Sequence, residues 1–313
     1  FRRVLFRSTG GVGQPGTGQA QNFNYNPDVN AIDTINGETS LFQAVRNNDL
    51  SSIYTMLSKK ADINKRNNKG ETPLLVSTQL NHPEISRALI NLKADVNAID
   101  NRRGSALVYS CKAGDTKTAQ LLLANGANAK QGNPLDFAVN INRDDENKVA
   151  LINDLLKGGC VPNFEHMKKV VALDDFPTFT TLKIQPGLQN IQPNQYTELM
   201  NQAMINKNID IVSECILKGA DSNKGMLFAA KENNKPLMLT CLEKGANPNP
   251  AVDFCIRNND MDFFTICLSD KYKGSRDNAL KQCVKAQNIA FIDRKSTRLN
   301  SSHQIIAYAV FCL

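Results

Sequence analysis

Three segments of this chain repeat one pattern at a spacing of 33 residues, and that period limits the possible folds more than any other feature. Leu41, Leu74 and Leu107 each open a helix-sized stretch, and Ala61, Ala94 and Ala127 each close one 20 residues later. Between these marks the text is alike in kind. GETSLFQAVRNNDLSSIYTMLSKKADIN is followed by GETPLLVSTQLNHPEISRALINLKADVN, and a third copy runs through Gly126 and Asn128. Such self-similarity implies a stacked solenoid, because one unit of this size cannot bury its own apolar face and must lay it against a neighbour.

Composition becomes usable only once the two ends are set aside. Phe1–Ser8 reads FRRVLFRS, which back-translates as TTC AGA CGT GTG CTC TTC CGA TCT, a common sequencing-library adapter. The reverse complement of that string, read from its second base, encodes DRKSTRLN, which is Asp293–Asn300. The remainder, SSHQIIAYAVFCL, looks like its continuation through an index, with Ala307 standing where serine is expected. Residues 1–8 and 292–313 are therefore expected to be non-native and are left out of fold reasoning. The formal charge of +7 falls to +2, because three Arg leave with the head while Arg294, Lys295 and Arg298, offset by Asp293, leave with the tail. A nearly neutral body gives no electrostatic reason to expect nucleic acid or an anionic membrane as partner. The apolar run Ile305–Leu313 is also far short of the about 20 residues that a membrane span needs. Eight Cys become seven without Cys312, and no CxxC pair occurs, which points to free thiols in a reducing compartment. The only N-x-S/T sequon falls on the adapter-coded Asn300, in keeping with an intracellular, cytoplasmic setting.

Residue by residue, Thr72, Pro73, Leu74, Ala94, Asp95, Val96 and Asn97 resemble the TPLHxA…GADVN signature of the ankyrin repeat family, at that family's period. The resemblance implies an all-α helical solenoid, with short β-hairpin fingers in the first repeats. In each repeat a short helix is expected to start near Thr39, Thr72 or Ser105, whose hydroxyls can cap free N–H groups. Pro73 suits a first helical turn. A longer helix follows the loop at Asn48, Asn81 or Gly114 and ends at Lys60, Lys93 or Gly126, where a left-handed residue is wanted. Counting back five and four residues from the closing position gives Met56–Leu57, Leu89–Ile90, Leu122–Leu123 and Leu155–Leu156. The same register continues as Cys215–Ile216, Cys241–Leu242 and Cys267–Leu268, the core stripe of a packed helix.

This register divides the chain. Residues 9–27 are Gly, Gln and Asn rich and read as a flexible linker. Repeats of period 33 are expected over 28–163, the fourth opening at Pro134–Leu135 and closing at Gly159–Cys160. Over 164–291 the closing residues fall at Ala220, Ala246 and about Tyr272, a period of about 26, which implies helix pairs with abbreviated connections and no projecting fingers. PNFEHMKKVVALDD and FPTFTTLKI form one candidate pair ahead of a Pro-rich loop at Gln185 to Asn194. PDVNAID from Pro27 reads as the tail of an earlier repeat, so the array is expected to begin upstream and to fray at both ends without caps.

No catalytic, cofactor or metal site emerges. Gly11, Gly13 and Gly16 match GxGxxG with Asp33 downstream, but no strand precedes them and no helix follows at once. Cys215, Cys241 and Cys267 recur every 26 residues in a register that Leu fills elsewhere, so they read as core. Neighbouring helices would hold them about 8 to 10 Å apart, too far for a bridge. His82 reads as packing or capping, and His166 lacks a second ligand at i+4. GxSxG, GK[ST] and kinase signatures are missing from the sequence.

The resemblance instead points to a protein-interaction scaffold that acts as a monomer. Its finger positions are Asn36, Glu38, Asn68, Lys69, Glu71, Asn101, Arg102 and Arg103, and its inner-helix positions are Arg46, Asn47, Gln79 and Lys112. This concave strip is where ankyrin proteins usually hold partners. Lys65, Arg66, Lys69, Arg102 and Arg103 make it locally basic, which favours an acidic or phosphorylated protein segment. The plain alternative is a solvated charged face. Other readings make the array the recognition arm of a larger enzyme or secreted effector, or a spacer. Asn97 follows Leu89 and Asp95–Val96, a setting in which ankyrin asparagines can be hydroxylated in animals; a turn-tying side chain is the structural alternative.

Overall fold

The computed structural model describes residues 28–142, 144–269 and 271–272. The expected linker, both adapter-like ends and the part of the 164–291 array beyond Tyr272 lie outside the described residues. Sixteen α-helices, one 3-10 turn and no named strand make up the regular structure of the described residues, and the chain falls into two compact units meeting between Pro162 and Asn163.

The first unit is built of four helix pairs. These are α1 (Ser40–Arg46) with α2 (Leu50–Ser58), α3 (Pro73–Gln79) with α4 (Pro83–Asn91), α5 (Ala106–Ala113) with α6 (Thr116–Ala124), and the short α7 (Leu135–Ala138) with α8 (Lys148–Lys157). Inner helices α1, α3, α5 and α7 pack on one another, as do α4, α6 and α8 on the outer layer. The core between the layers is Leu and Ile text: Leu41, Ile53, Leu74, Leu89, Leu107, Leu122, Leu151 and Leu155 are all at most 1% exposed.

The repeated register has a backbone cause. At each closing turn a left-handed residue lets two N–H groups turn back on the helix: Lys93 N donates to Ile90 O and Ala94 N to Leu89 O, both at 3.0 Å. Gly126–Ala127 does the same onto Leu123 and Leu122. The apolar pair found five and four residues before each closing residue is thus the pair whose carbonyls accept this cap, a Schellman motif. Lys60 and Lys93 do adopt the left-handed conformation, with φ of 66° and 67°.

The ADVN signature is explained by the next layer of bonds. Asp95 Oδ1 accepts from Asn97 N at 2.9 Å, and Asn97 Oδ1 accepts from Asn128 N of the following repeat at 2.8 Å. Asn30 and Asn64 receive Asp62 N and Asp95 N in the same way, at 2.7 and 2.8 Å. An asparagine ladder therefore ties each turn to the one after it.

Two local expectations change. Thr72 and Ser105 cap α3 and α5 through Leu75 N and Val108 N, but Thr39 makes no side-chain cap, and its buried hydroxyl finds no partner. The fingers contain one isolated bridge, Ile99–Ser105, rather than hairpin strands, and are otherwise tight turns closed by Asp33 N to Glu38 O, Asn67 N to Glu71 O and Asp100 N to Gly104 O at 2.9, 3.0 and 3.1 Å. In the fourth repeat, where α7 has only four residues, the buried Lys148 amine donates to Val139 O and Ile141 O at 3.0 and 2.7 Å and satisfies carbonyls that a longer helix would have bonded itself.

The second unit comprises α9 (Phe164–Ala172), α10 (Phe176–Lys183), α11 (Pro193–Ile205), α12 (Ile209–Leu217), α13 (Ser222–Lys231), α14 (Lys235–Glu243), α15 (Asn249–Asn258) and α16 (Met261–Cys267), with the 3-10 turn at Pro186–Leu188. Its closing turns repeat the same cap: Ala220 N reaches Cys215 O and Ala246 N reaches Cys241 O, both at 3.0 Å. The ladder also persists, as Asn247 N donates to Asn223 Oδ1 at 2.7 Å. Only residues 218–221 join α12 to α13, which leaves no length for a finger. Cys215, Cys241 and Cys267 are each 0% exposed, filling core positions as their register implies.

Candidate functional site

The finger and inner-helix surface of the first unit is organised by three polar residues at the finger bases. Asp33 Oδ1 accepts from Ile35 N and Asn36 N at 2.9 and 2.6 Å, and its Oδ2 accepts from Glu38 N at 2.9 Å. Asn67 Oδ1 takes Lys69 N and Glu71 N at 3.0 and 2.9 Å, and Asp100 Oδ1 takes Arg102 N and Gly104 N, both at 2.8 Å. Burial works against the charged form of Asp33, yet the N–H groups of Asn36, Glu38, Ile35 and Gly37 together hold its carboxyl below the ordinary range. Each finger is therefore fixed by a side chain at its own base.

Adjacent fingers are laced together at their tips. Asn68 N donates to Asn36 O at 2.9 Å and Asn101 N to Lys69 O at 3.0 Å. The Asn68 and Asn101 amides add bonds to Ile35 O and Asn68 O at 3.1 and 3.3 Å. Gly37 and Gly70 make this approach possible: both have positive φ, and a Cβ there would lie 2.4 Å and 2.5 Å from the Oδ1 of Asn68 and Asn101.

Below the tips, the expected contact residues Glu38 and Glu71 prove buried, at 5% and 8% exposure, rather than solvent-facing. Glu38 is held by Arg46 through Nη2 at 2.6 Å and Nε at 3.0 Å, a bidentate pair, and Asn67 Nδ2 bonds both Glu38 and Glu71, at 3.2 and 2.8 Å. Donating to Glu38 raises the Arg46 guanidinium above its already high value. One repeat on, Tyr109 OH and Gln79 Nε2 both donate to Asp100 Oδ2, the latter at 3.3 Å. Burial, with the Asp100 carboxylate beside it, pushes the Tyr109 phenol up to about 12. A wall of internal carboxylates thus positions the strip from beneath. It was missed in the sequence because burial of Glu38 and Glu71 is a tertiary fact; the recurrence of Asp33, Asn67 and Asp100 ahead of each finger was the available signal.

What remains open to solvent is cationic. Lys69, Arg102, Arg103 and Lys112 are exposed, and none has an acidic partner among the described residues; Asn36, Asn47 and Gln79 are exposed beside them. Arg103 is presented in the left-handed conformation at φ 64°. Arg66 directs its guanidinium to Ile99 O at 2.9 Å, so part of its donor capacity is spent within the fold. The remaining candidates resolve into structure. His82 Nδ1 lies 3.0 Å from Val45 O, and His166 completes a capping box with Asn163. Asn97 uses both ends of its amide between repeats, with Nδ2 on Gly126 O at 3.0 Å.

A family model described as ankyrin repeats (3 copies) matches residues 18–100 and again 41–133, the stretch that carries the laced fingers. Over residues 18–133 the chain carries ankyrin repeats. No curated protein matches it. Ankyrin repeats are generally protein–protein interaction modules and typically work as non-catalytic scaffolds. Among the described residues no three His, Cys, Asp or Glu side chains gather as metal ligands, and no helix is long and apolar enough to cross a membrane.

Proposed function

We propose that the ankyrin repeats of the first unit hold a protein partner across Asn36, Arg46, Asn47, Lys69, Gln79, Arg102, Arg103 and Lys112, and that the bound segment is acidic or phosphorylated. The observation that carries this reading is the contrast between Arg46, whose charge Glu38 takes up, and the four outer cations, which pair with no carboxylate among the described residues. Glu38, Glu71, Asn68 and Asn101 act as supports that stiffen the strip. A rigid basic surface attracts and orients an anionic segment without having to order itself first. In this reading the repeats of period 33 over 28–163 supply binding, the pairs of period about 26 over 164–291 extend the scaffold, and the protein acts as an intracellular, cytoplasmic monomer.

An immobilised array of acidic, phosphoserine and neutral peptides tests this directly. The protein should select acidic or phosphorylated peptides, with affinity falling as salt rises. The double charge reversal Arg102→Glu with Arg103→Glu should weaken the selected peptides about tenfold and flatten the salt dependence, each exposed charge pair being worth up to about 1 kcal/mol. Equal binding of neutral peptides, or an unchanged affinity in the double variant, would overturn the proposal.

A further inference from the structure

The lacing of the fingers stops at the third. Asn68 gives its N–H to Asn36 O and its side-chain amide to Ile35 O, and Asn101 does the same to Lys69 O and Asn68 O. The next acceptors in this series are Arg102 O and Asn101 O, and among the described residues neither receives a hydrogen bond. The cause lies in the sequence. Leu74 follows Ala61 and Leu107 follows Ala94 by 13 residues, but Leu135 follows Ala127 by 8, so the fourth repeat is too short to set a finger beside the third. Asn101, Arg102 and Arg103 are all exposed, which leaves an open backbone edge of the kind that an added segment can pair with.

A second difference fixes which donor fits that edge. A Cβ at Gly37 or Gly70 would stand 2.4 or 2.5 Å from the incoming amide oxygen, but 3.2 Å from the incoming backbone nitrogen. In the third finger the same position is Arg103, left-handed at φ 64° beside 69° and 73° for the two glycines, so that Cβ is present. Another asparagine is shut out by its side chain, whereas a backbone N–H carried by a small residue still passes.

We propose that the outer edge of the third finger docks the partner's acidic segment through its main chain: a glycine or alanine N–H donates to Arg102 O, and the residue after it is acidic. This rests on the basic strip holding an acidic segment, and adds where and by which atoms. In the fingers the residue after each donor stands in register with the acceptor, as Lys69 does with Asn36 and Arg102 with Lys69. The residue after the ligand's donor therefore falls beside Arg102, where two cations already follow one another and a carboxylate or phosphate is attracted. Arg103 acts twice, its charge favouring the acid and its Cβ excluding a large donor residue. A second copy of this chain fits poorly, because its finger N–H groups at Ile35, Asn68 and Asn101 are spent within its own fingers and its tips bring like charge.

The test titrates the full chain with synthetic peptides reading X-Glu-Glu between neutral flanks, X being glycine, alanine, N-methylalanine or asparagine. Against alanine, N-methylalanine should bind about fivefold more weakly, since one net hydrogen bond is lost, and asparagine about tenfold more weakly. The carbonyl carbon resonance of Arg102 should move with the alanine peptide and stay with the N-methylated one. Arg103→Ala, which removes the charge and keeps the Cβ, should weaken every peptide without changing their order. Arg103→Gly removes both, and asparagine should then bind at least as well as alanine. Equal affinity for alanine and N-methylalanine, asparagine as disfavoured in Arg103→Gly as in Arg103→Ala, or self-association of the chain that the peptides displace would overturn the docking edge and leave the basic strip standing. Equal binding when Gln-Gln replaces Glu-Glu would instead sink the charge reading, and the edge with it.

Discussion

Lys60 and Lys93 hold a backbone conformation that suits glycine, and Gly126 shows what the same turn looks like with it: no heavy atom lies within 4 Å of the position where a Cβ would stand. The lysines therefore carry conformational strain with no packing in return. Lys60→Gly and Lys93→Gly should each raise stability by about 1 kcal/mol in denaturant unfolding, and Gly126→Lys should lower it by a like amount. A second comparison concerns buried hydroxyls. Ser77 Oγ and Ser86 Oγ bond each other at 2.9 Å in the second repeat, whereas the hydroxyl of Ser110, one period after Ser77, has no partner, and Ala119 stands one period after Ser86. Ser86→Ala should cost about 1 kcal/mol by removing one of the two bonds at Ser77 Oγ, which keeps Leu74 O at 2.8 Å, while Ser110→Ala should be neutral or stabilising and Ala119→Ser should supply the missing partner. These differences escape a reading by register, because Ser86 and Ala119 are equally small and the pattern records size before partners.

At the scale of the element, the finger is a turn closed from its base. The folded carboxyl of Asp33 sits below its unfolded value of about 3.9, so its contribution is present above that pH and is lost as pH falls through the lower folded value. Protection factors at Asn36 and Glu38 should accordingly fall as pH drops below about 4 in the natural chain, and should stay flat across that range in Asp33→Asn, whose amide oxygen can accept as that of Asn67 does. In the fourth repeat the corresponding device is Lys148, which closes α7 from the next helix. Lys148→Met should cost about 2 to 3 kcal/mol by leaving two buried carbonyls unbonded, measured by the midpoint of thermal unfolding. The helices were legible from apolar spacing and cap residues because both act within one turn of the chain. The failed cap at Thr39 and the Arg46–Glu38 pair were not, since each depends on which element lies opposite.

At the scale of the whole molecule, one closing turn and one asparagine ladder recur through both units, while the fingers occur only where the period is 33. The period was readable because each copy repeats the same turn chemistry; the division of labour was only partly readable, because exposure separates Lys69 and Arg102 from the equally polar Glu38 and Glu71. The binding account rests on that separation. Its most direct measurement is an NMR titration of the protein with a phosphoserine peptide chosen from the array, following backbone and guanidinium resonances. The account predicts shifts concentrated at Lys69, Arg102, Arg103 and Lys112 that vanish in the Arg102→Glu, Arg103→Glu variant. Shifts centred on the second unit, or unchanged by the charge reversal, would contradict it.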